Sequence, residues 1–211
     1  MDFVERLLHR NTTWASDVAR RDPGVFERLR RGQQPAALWI GCADSRVPAE
    51  VVTGAAPGEL FVHRNVANLF LPDDDNSMSA LEYAVRALKV GDIVVCGHYG
   101  CGGVRAALAG AGDDMPHVER RIEALRALAR REHAALEAIP NFEDRVNRLA
   151  ELNALEQART IAALSVVRDA TPRPRVHAWV FDIRNGLIRR LARYDASPVV
   201  GQGESTSAQL L

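Results

Sequence analysis

The residues Ile93-Val-Val-Cys96 form a short apolar run, and the glycine-rich segment Gly97-His-Tyr-Gly-Cys-Gly-Gly103 follows them directly. Apolar runs bounded by turn residues are typical of strands that are buried on both faces of a parallel sheet. Ala36-Ala-Leu-Trp-Ile40 and Leu60-Phe-Val-His63 have the same character. Between Leu60-Phe-Val-His63 and Ile93-Val-Val-Cys96, Ser79-Ala-Leu-Glu82 matches a capping box that opens a helical pattern. The order strand, helix, strand indicates a parallel sheet.

The second half of the chain has the pattern of two long helices and a hairpin. Apolar residues recur at helical spacing from Pro116 to Ile139 and from Val146 to Val167, and proline residues follow both tracts. Val176 to Ile183 and Leu187 to Tyr194 flank the turn Arg184-Asn-Gly186. This pattern predicts a hairpin whose second strand runs antiparallel at the sheet edge.

The first 32 residues have the pattern of short helices. They are Asp2 to His9, a segment opened by Asn11 or Thr12, and Pro23 to Arg31. Such an arm has little core of its own, so its apolar side chains need a surface to pack against. Either the rest of this domain or a second chain could supply that surface, and we favour a second chain.

The 211 residues suit one domain, because single hydrophobic cores stop growing near roughly 250 residues. We expect this α/β domain to span residues 1–195, with residues 1–34 as a helical arm. Residues 196–211 are rich in Gly, Ser, Gln and Thr without a period, which predicts a polar, flexible tail.

Charge and hydropathy exclude several classes of partner. Lys plus Arg and Asp plus Glu both number 27, so no excess positive field is available to hold nucleic acid or anionic lipid. No apolar run is long enough for a signal peptide or a membrane span. We therefore expect a cytoplasmic protein.

Cysteine and histidine residues fall in two loops that each follow a predicted buried strand. These loops are Gly41-Cys-Ala-Asp-Ser-Arg46 and the segment from Gly97 to Gly103. In an open parallel sheet, ligands bind beyond the carboxyl ends of the strands. Cys42, His98 and Cys101 offer the thiolate and imidazole ligands that zinc prefers, and three ligands leave a fourth corner for catalysis.

Other interpretations of these residues compete with a metal site. Isolated cysteines and histidines are most often buried core residues. Cys96 lies inside an apolar run, so we predict a core position for it, with a fallback role as ligand because it shares a strand face with His98. The glycines of the second loop suggest a dinucleotide site, but the order Gly-x-Gly-x-x-Gly does not occur.

Asp44 and Arg46 follow Cys42 at intervals of two residues. In a turn, this spacing can bring the carboxylate within reach of the fourth metal corner and the guanidinium within reach of the carboxylate. The alternative is a solvated surface ion pair. We favour a catalytic pair because the two residues adjoin a predicted ligand.

Cys-x-Asp-x-Arg at residues 42–46, followed by His-x-x-Cys-Gly-Gly at residues 98–103, resembles the beta-class carbonic anhydrases. The likeness extends from about Asp2 to Tyr194 and includes Glu151-Leu-Asn153 and Trp179. It implies a mostly parallel sheet of about four strands plus an edge strand, in a dimer or a dimer of dimers. It also implies one Zn²⁺ per chain and reversible hydration of carbon dioxide to bicarbonate and a proton by attack of zinc-bound hydroxide.

The resemblance further implies roles for individual residues. Asp44 orients the hydroxide, Arg46 keeps Asp44 ionised, and Asp44 becomes a fourth metal ligand in an inactive state. Gln33 and Gly102 bind substrate. Two thiolates neutralise the charge of the metal, so its bound water is acidified less than at an all-histidine site. Catalysis is therefore expected to favour alkaline pH.

A bacterial subgroup of this family is inhibited by bicarbonate bound to a Trp, an Arg and a Tyr. Trp39 and Arg64 match the first two positions, but Phe181 stands at the third and lacks the hydroxyl. This difference predicts a weakened response to bicarbonate. The alternative is that Trp39 and Arg64 serve only packing and an ion pair with Glu50.

Two other functions stay open from the sequence. One is a non-catalytic zinc protein in which Asp44 permanently fills the fourth corner. The other is an enzyme on the same scaffold that acts on a related small molecule such as carbon disulfide, although no residue argues for it.

Overall fold

A computed structural model describes residues 1–112, 114–195 and 209–210 of the chain. Residues 1–34 form one compact unit, and the described residues from 35 onward form another. The strands within these ranges are β1 (Ala37–Cys42), β2 (Leu60–Asn65), β3 (Asp92–His98), β4 (Arg175–Asp182), β5 (Leu187–Tyr194) and β6 (Gln209–Leu210).

The α-helices in the same ranges are α1 (Phe3–Arg21), α2 (Val25–Leu29), α3 (Ala49–Thr53), α4 (Asp75–Glu82), α5 (Gly102–Ala109), α6 (Pro116–Arg121), α7 (Glu123–Arg131), α8 (His133–Glu137), α9 (Phe142–Ala163) and α10 (Ser165–Arg168). A 3-10 turn over Val66–Asn68 follows β2, and a π-helical turn over Tyr83–Ala87 continues α4. No helix in the described ranges is long and apolar enough to cross a bilayer.

All strands belong to one sheet in the order β2-β1-β3-β4-β5-β6. β2, β1, β3 and β4 are parallel, whereas β5 pairs antiparallel with β4 and β6 pairs antiparallel with β5. The predicted α/β class, the mostly parallel sheet and the antiparallel hairpin are confirmed. Of the predicted flexible tail, only 209–210 lie within the described residues.

The central strands are buried on both faces because successive side chains point to opposite sides of the sheet. Leu38 of β1 and Ile93 of β3 pack with α4, α9 and α10 in the largest apolar cluster. Trp39 and Val94, one residue further along each strand, pack on the other face. Each fully buried Leu or Ile stabilises the fold by about 1.5–3 kcal/mol. The packed sheet places the ends of β1 and β3, Cys42 and His98, on neighbouring parallel strands.

The predicted break near Asn11 and Thr12 is wrong, because α1 runs through both residues without interruption. The hydroxyls of Thr12 and Thr13 donate to the carbonyls four residues earlier, both at 3.2 Å. Hydroxyls satisfied in this way fit inside a helix instead of capping a new one. The side chain of Asp2 caps the start of α1 by accepting from the amide of Glu5 at 2.9 Å.

The predicted capping box at Ser79 is also wrong. The cap of α4 is Asp74, whose carboxylate accepts from the amide of Asn76 at 3.2 Å. Ser79 lies inside the helix, and its hydroxyl donates to the carbonyl of Asn76 at 3.2 Å. Hydrogen bonds from Arg121 hold the pKa of Asp74 at about 2, so the cap is ionised, which suits a helix N-terminus.

The two predicted helical tracts are each divided. The tract from Pro116 to Ile139 forms α6, α7 and α8, with breaks at Ile122 and Glu132, whose ψ angles of 2° and 14° lie outside the helical range. The tract from Val146 to Val167 is interrupted at Leu164, which is extended. Apolar spacing predicted the buried face of each tract but not these single-residue breaks.

Candidate metal centre

Three side chains that could hold a metal converge at the carboxyl ends of β1 and β3. Cys42 and His98 are the last residues of these strands, and Cys101 is the N-cap of α5. The two sulfur atoms lie 3.9 Å apart, and the ligand atoms of all three residues lie within 4.8 Å of one another. All three residues are buried. A single ion placed between them could contact every one.

The hydrogen bonding of His98 fits a metal ligand. Its Nδ1 lies 3.0 Å from the carbonyl of Tyr99, a geometry in which Nδ1 carries the proton and donates it. Nε2 then carries the lone pair, and it is buried without a hydrogen-bond partner among the described residues. Leaving a buried polar atom unpaired costs about 1–3 kcal/mol. Coordination of a cation by Nε2 would remove that cost.

The two thiols share their protons unequally. The pKa of Cys42 is lowered, chiefly because the Cys101 thiol donates a hydrogen bond to its sulfur. The pKa of Cys101 is raised because its proton is held by Cys42 and because it is buried, although the amides of Gly103 and Val104 partly offset this. One thiolate therefore forms readily, and a divalent cation would supply the charge that releases the second proton.

Asp44 and Arg46 form a bidentate ion pair beside the three ligands. The Arg46 guanidinium donates to both carboxylate oxygens of Asp44, at 2.9 and 2.7 Å, and to the carbonyl of Gly100 at 3.2 Å. These hydrogen bonds hold the pKa of Asp44 well below its usual range. Asp44 Oδ2 lies 3.8 Å from His98 Nε2, so an ionised acceptor borders the metal-ligand group.

The family of the chain follows from its similarity to known proteins. The family model described as carbonic anhydrase matches residues 37–188. A carbonic anhydrase of Emericella nidulans is 42% identical over 190 residues, which cover 89% of this chain and 82% of that protein. This chain belongs to the carbonic anhydrase family. A carbonic anhydrase of Pseudomonas aeruginosa is 38% identical over 177 residues, covering 79% of this chain and 78% of the relative.

Solved structures specify the class. One of two tetrameric beta-carbonic anhydrases from Sordaria macrospora superposes with a TM-score of 0.85 at 37% identity, covering 89% of this chain and 96% of the other. A Coccomyxa beta-carbonic anhydrase in complex with acetazolamide gives 0.84 at 36% identity, covering 91% and 87%. The predicted resemblance to the beta class is confirmed, and carbon dioxide hydration is the reaction that the family and the fold support.

In this carbonic anhydrase, Cys96 is a core residue, as predicted. It is 1% exposed, its thiol donates to the carbonyl of Gly97 at 3.4 Å, and burial raises its pKa. It packs with Trp39 and Phe181 in the cluster on the sheet face opposite α9. Cys96 is not part of the group whose ligand atoms converge.

Arg64 of this carbonic anhydrase holds the first loop from β2. Its guanidinium donates to the backbone carbonyls of Cys42 and Asp44 at 2.9 and 2.6 Å. Within the described residues, no ion pair joins Arg64 to Glu50, so that alternative for Arg64 is not supported. Trp39 packs in one cluster with Phe181 and forms a T-shaped pair with Trp179, with ring centroids 6.2 Å apart.

The second loop is packed closely at Gly103. A Cβ atom at Gly103 would lie 2.8 Å from a methyl carbon of Val66 and 3.0 Å from Cβ of Ala67, so this position requires glycine.

Gly102, predicted to bind substrate, is the first residue of α5. Gln33, the other predicted substrate residue, lies in the N-terminal unit.

Two residues of α9 to which the sequence analysis assigned no role also contact this loop. Asn147 Oδ1 accepts from the amide of Gly100 at 3.0 Å, and Glu151 Oε1 accepts from the hydroxyl of Tyr99 at 2.6 Å. Their spacing of four residues places both on one helix face. Glu151 also stands in the stretch Glu151-Leu-Asn153 that resembles the family, but neither signal predicts a contact with the loop.

Proposed function

We propose that this chain is a zinc-dependent enzyme that hydrates carbon dioxide reversibly to bicarbonate and a proton. One Zn²⁺ per chain would be held by Cys42, His98 and Cys101. The observation that carries this proposal is the His98 ring, whose buried Nε2 has no hydrogen-bond partner among the described residues and whose ligand atom lies within 4.8 Å of two thiol sulfurs. Two thiols and an imidazole are a donor set that zinc prefers, with one corner of the tetrahedron left open.

Zinc would supply Lewis acidity, which lowers the pKa of a coordinated water so that a nucleophile is available near neutral pH. The ligands of this chain moderate that effect, because two thiolates cancel the charge of the ion and His98 adds none. Activity should therefore rise between pH 7 and pH 9 as more of the nucleophile becomes deprotonated.

Asp44 would orient the nucleophile. Its ionised Oδ2 is a hydrogen-bond acceptor 3.8 Å from His98 Nε2, at the border of the ligand group. By accepting the remaining proton of the nucleophile, Oδ2 would turn a lone pair toward carbon dioxide. Arg46 would keep Asp44 ionised and fixed through its two hydrogen bonds. If Arg46 released it, Asp44 would become free to act as the fourth metal ligand of an inactive state.

Substrate binding is proposed for Gly102 and Gln33. Gly102 lies in the first turn of α5, where amide groups lack acceptors within the helix and suit an anion such as bicarbonate.

We also propose self-association as a dimer or a dimer of dimers in the cytoplasm. The apolar residues of α1, none of them buried, support a partner surface, and the Sordaria macrospora relative is tetrameric.

A carbon dioxide hydration assay of the zinc-loaded protein across pH 7 to 9 tests the proposed function. We expect zinc-dependent catalysis that increases with pH over this range. A protein that binds zinc but hydrates no carbon dioxide at any pH would be the non-catalytic alternative. Turnover of carbon disulfide without carbon dioxide hydration would instead support the alternative that the chain is an enzyme acting on that related small molecule.

Bicarbonate regulation is proposed to be weak because Phe181 lacks a hydroxyl. Phe181→Tyr should strengthen bicarbonate inhibition by roughly 2- to 10-fold, since one added hydrogen bond is worth about 0.5–1.5 kcal/mol. Inhibition constants of both proteins at one pH provide the measurement. Phe61→Tyr, on a different apolar cluster, is the matched control and should leave inhibition unchanged. Equal sensitivity of Phe181→Tyr and the unmodified protein would show that position 181 does not govern an anion site.

A further inference from the structure

The loop from His98 to Cys101 carries two of the three proposed ligands and is anchored to α9. Asn147 holds the backbone amide of Gly100, and Glu151 holds the hydroxyl of Tyr99. The Tyr99 amide also donates to the carbonyl of Phe181 at 3.0 Å, which ties it to β4. Tyr99 is thus held at its backbone and at the far end of its side chain.

Glu151 has the surroundings of a fixed, ionised acceptor. Its carboxylate accepts from Tyr99 and from Arg148, the latter at 2.8 Å, and Arg189 donates to both Glu151 and the Tyr99 hydroxyl. Burial acts to raise the pKa of Glu151, but these hydrogen bonds outweigh it and the pKa is lowered. The side chain is only 13% exposed, so solvent competes weakly for the Tyr99 hydroxyl.

Tyr99 links this cluster to the metal ligand beside it. The carbonyl of Tyr99 accepts the proton of His98 Nδ1, and that hydrogen bond determines the tautomer and the direction of the ring. A shift of the Tyr99 backbone would therefore turn His98 Nε2 away from the two sulfurs. The position of Tyr99 depends in turn on the acceptor at Glu151.

We propose that Glu151 is a positioning residue that acts through the Tyr99 hydroxyl to keep His98 Nε2 directed at the metal. This inference rests on the proposed zinc site and extends it to a residue 53 positions from His98 in the sequence. Mutation of a residue that hydrogen-bonds to a metal ligand typically lowers metal affinity or activity by about 10- to 100-fold. Glu151 acts one contact further from the metal, so we expect its mutation to have an effect near the lower end of this range.

The experiment is a measurement of zinc release to excess chelator from the full, zinc-loaded chain. Tyr99→Phe and Glu151→Ala should each release zinc about 10-fold faster than the unmodified protein. The double variant should release it no faster than either single variant, because both changes break one linkage. Glu151→Gln keeps an acceptor oxygen for Tyr99 and should restore most of the slow release.

A matched control distinguishes positioning from general stability. Glu156 lies on the same helix and also pairs with two arginines, Arg131 and Arg159, but among the described residues it forms no hydrogen bond or ion pair with the loop from His98 to Cys101. Glu156→Ala should leave zinc release unchanged. Tyr99→Phe leaves Glu151 paired with Arg148 and Arg189, so that variant is expected to fold.

The possible outcomes separate this inference from the zinc site itself. If the unmodified chain binds one zinc but Tyr99→Phe releases it at the same rate, or if the two single effects multiply in the double variant, the positioning role is overturned and the site stands. If the unmodified chain binds no zinc, both the site and the positioning role are wrong.

Discussion

His98→Ala and Cys42→Ser are each expected to lose zinc while retaining the fold. Apparent zinc affinities of protein sites correspond to roughly 10 kcal/mol or more, so loss of one ligand in three removes about 3 kcal/mol. That is roughly a 100-fold loss in affinity, enough to empty the site in the presence of a competing chelator. Metal analysis after dialysis against chelator gives the measurement, and circular dichroism verifies the fold.

Cys96→Ser is the matched control for this loss. Cys96 is as buried as the proposed ligands but packs with Trp39 and Phe181 and is not part of the group whose ligand atoms converge, so its variant should keep one zinc per chain. Full zinc retention in both His98→Ala and Cys42→Ser would contradict the ligand assignment. Zinc loss in Cys96→Ser alone would show that Cys96, and not the proposed ligands, holds the ion.

Asp44→Asn is expected to keep its zinc and lose most hydration activity, on the order of 100-fold in kcat/KM. The amide carries no charge to pair with Arg46, and its NH2 group donates where an acceptor is needed. Arg46→Ala should lower activity less, because the acceptor oxygens of Asp44 are retained and only their fixation by Arg46 is lost. Stopped-flow hydration rates at equal zinc content give the comparison.

A second ion pair of the chain provides the control for Asp44. Asp182 and Arg184 repeat its geometry, with Arg184 donating from its backbone amide and Nε at 2.9 Å each and from Nη2 at 2.8 Å. This pair lies in the hairpin turn, where Arg184 is 5.7 Å from the centroid of the Tyr99 ring, but neither residue borders the group whose ligand atoms converge. Asp182→Asn should therefore leave hydration near that of the unmodified protein. Activity near that level in Asp44→Asn as well would refute the orienting role of Asp44.

These two ion pairs show what the sequence could and could not predict. Asp-x-Arg folds into the same bidentate turn at residues 44–46 and 182–184, so the spacing alone predicts only the local geometry. The pair at residues 44–46 is distinguished by the Cys42 that precedes it and by its position after a buried strand. Because β1 and β3 are recognisable from apolar runs, the meeting of Cys42 with His98 could also be predicted.

The side-chain contacts between α9 and the second loop could not be predicted. Glu151 reaches Tyr99 across 52 residues and Asn147 reaches Gly100 across 47, and no periodicity encodes such pairs. The start of α4 was missed for a related reason. Asp74 caps α4 while it also pairs with Arg121, a tertiary contact that local capping patterns do not include.

Titration of the metal-free chain with zinc, followed by the rate of carbon dioxide hydration, tests the central claim most directly. The proposed centre of Cys42, His98 and Cys101 predicts no hydration without metal, a linear rise as zinc is added, and a break at one zinc per chain. Catalysis by the metal-free chain, or none when one zinc per chain is bound, would contradict it.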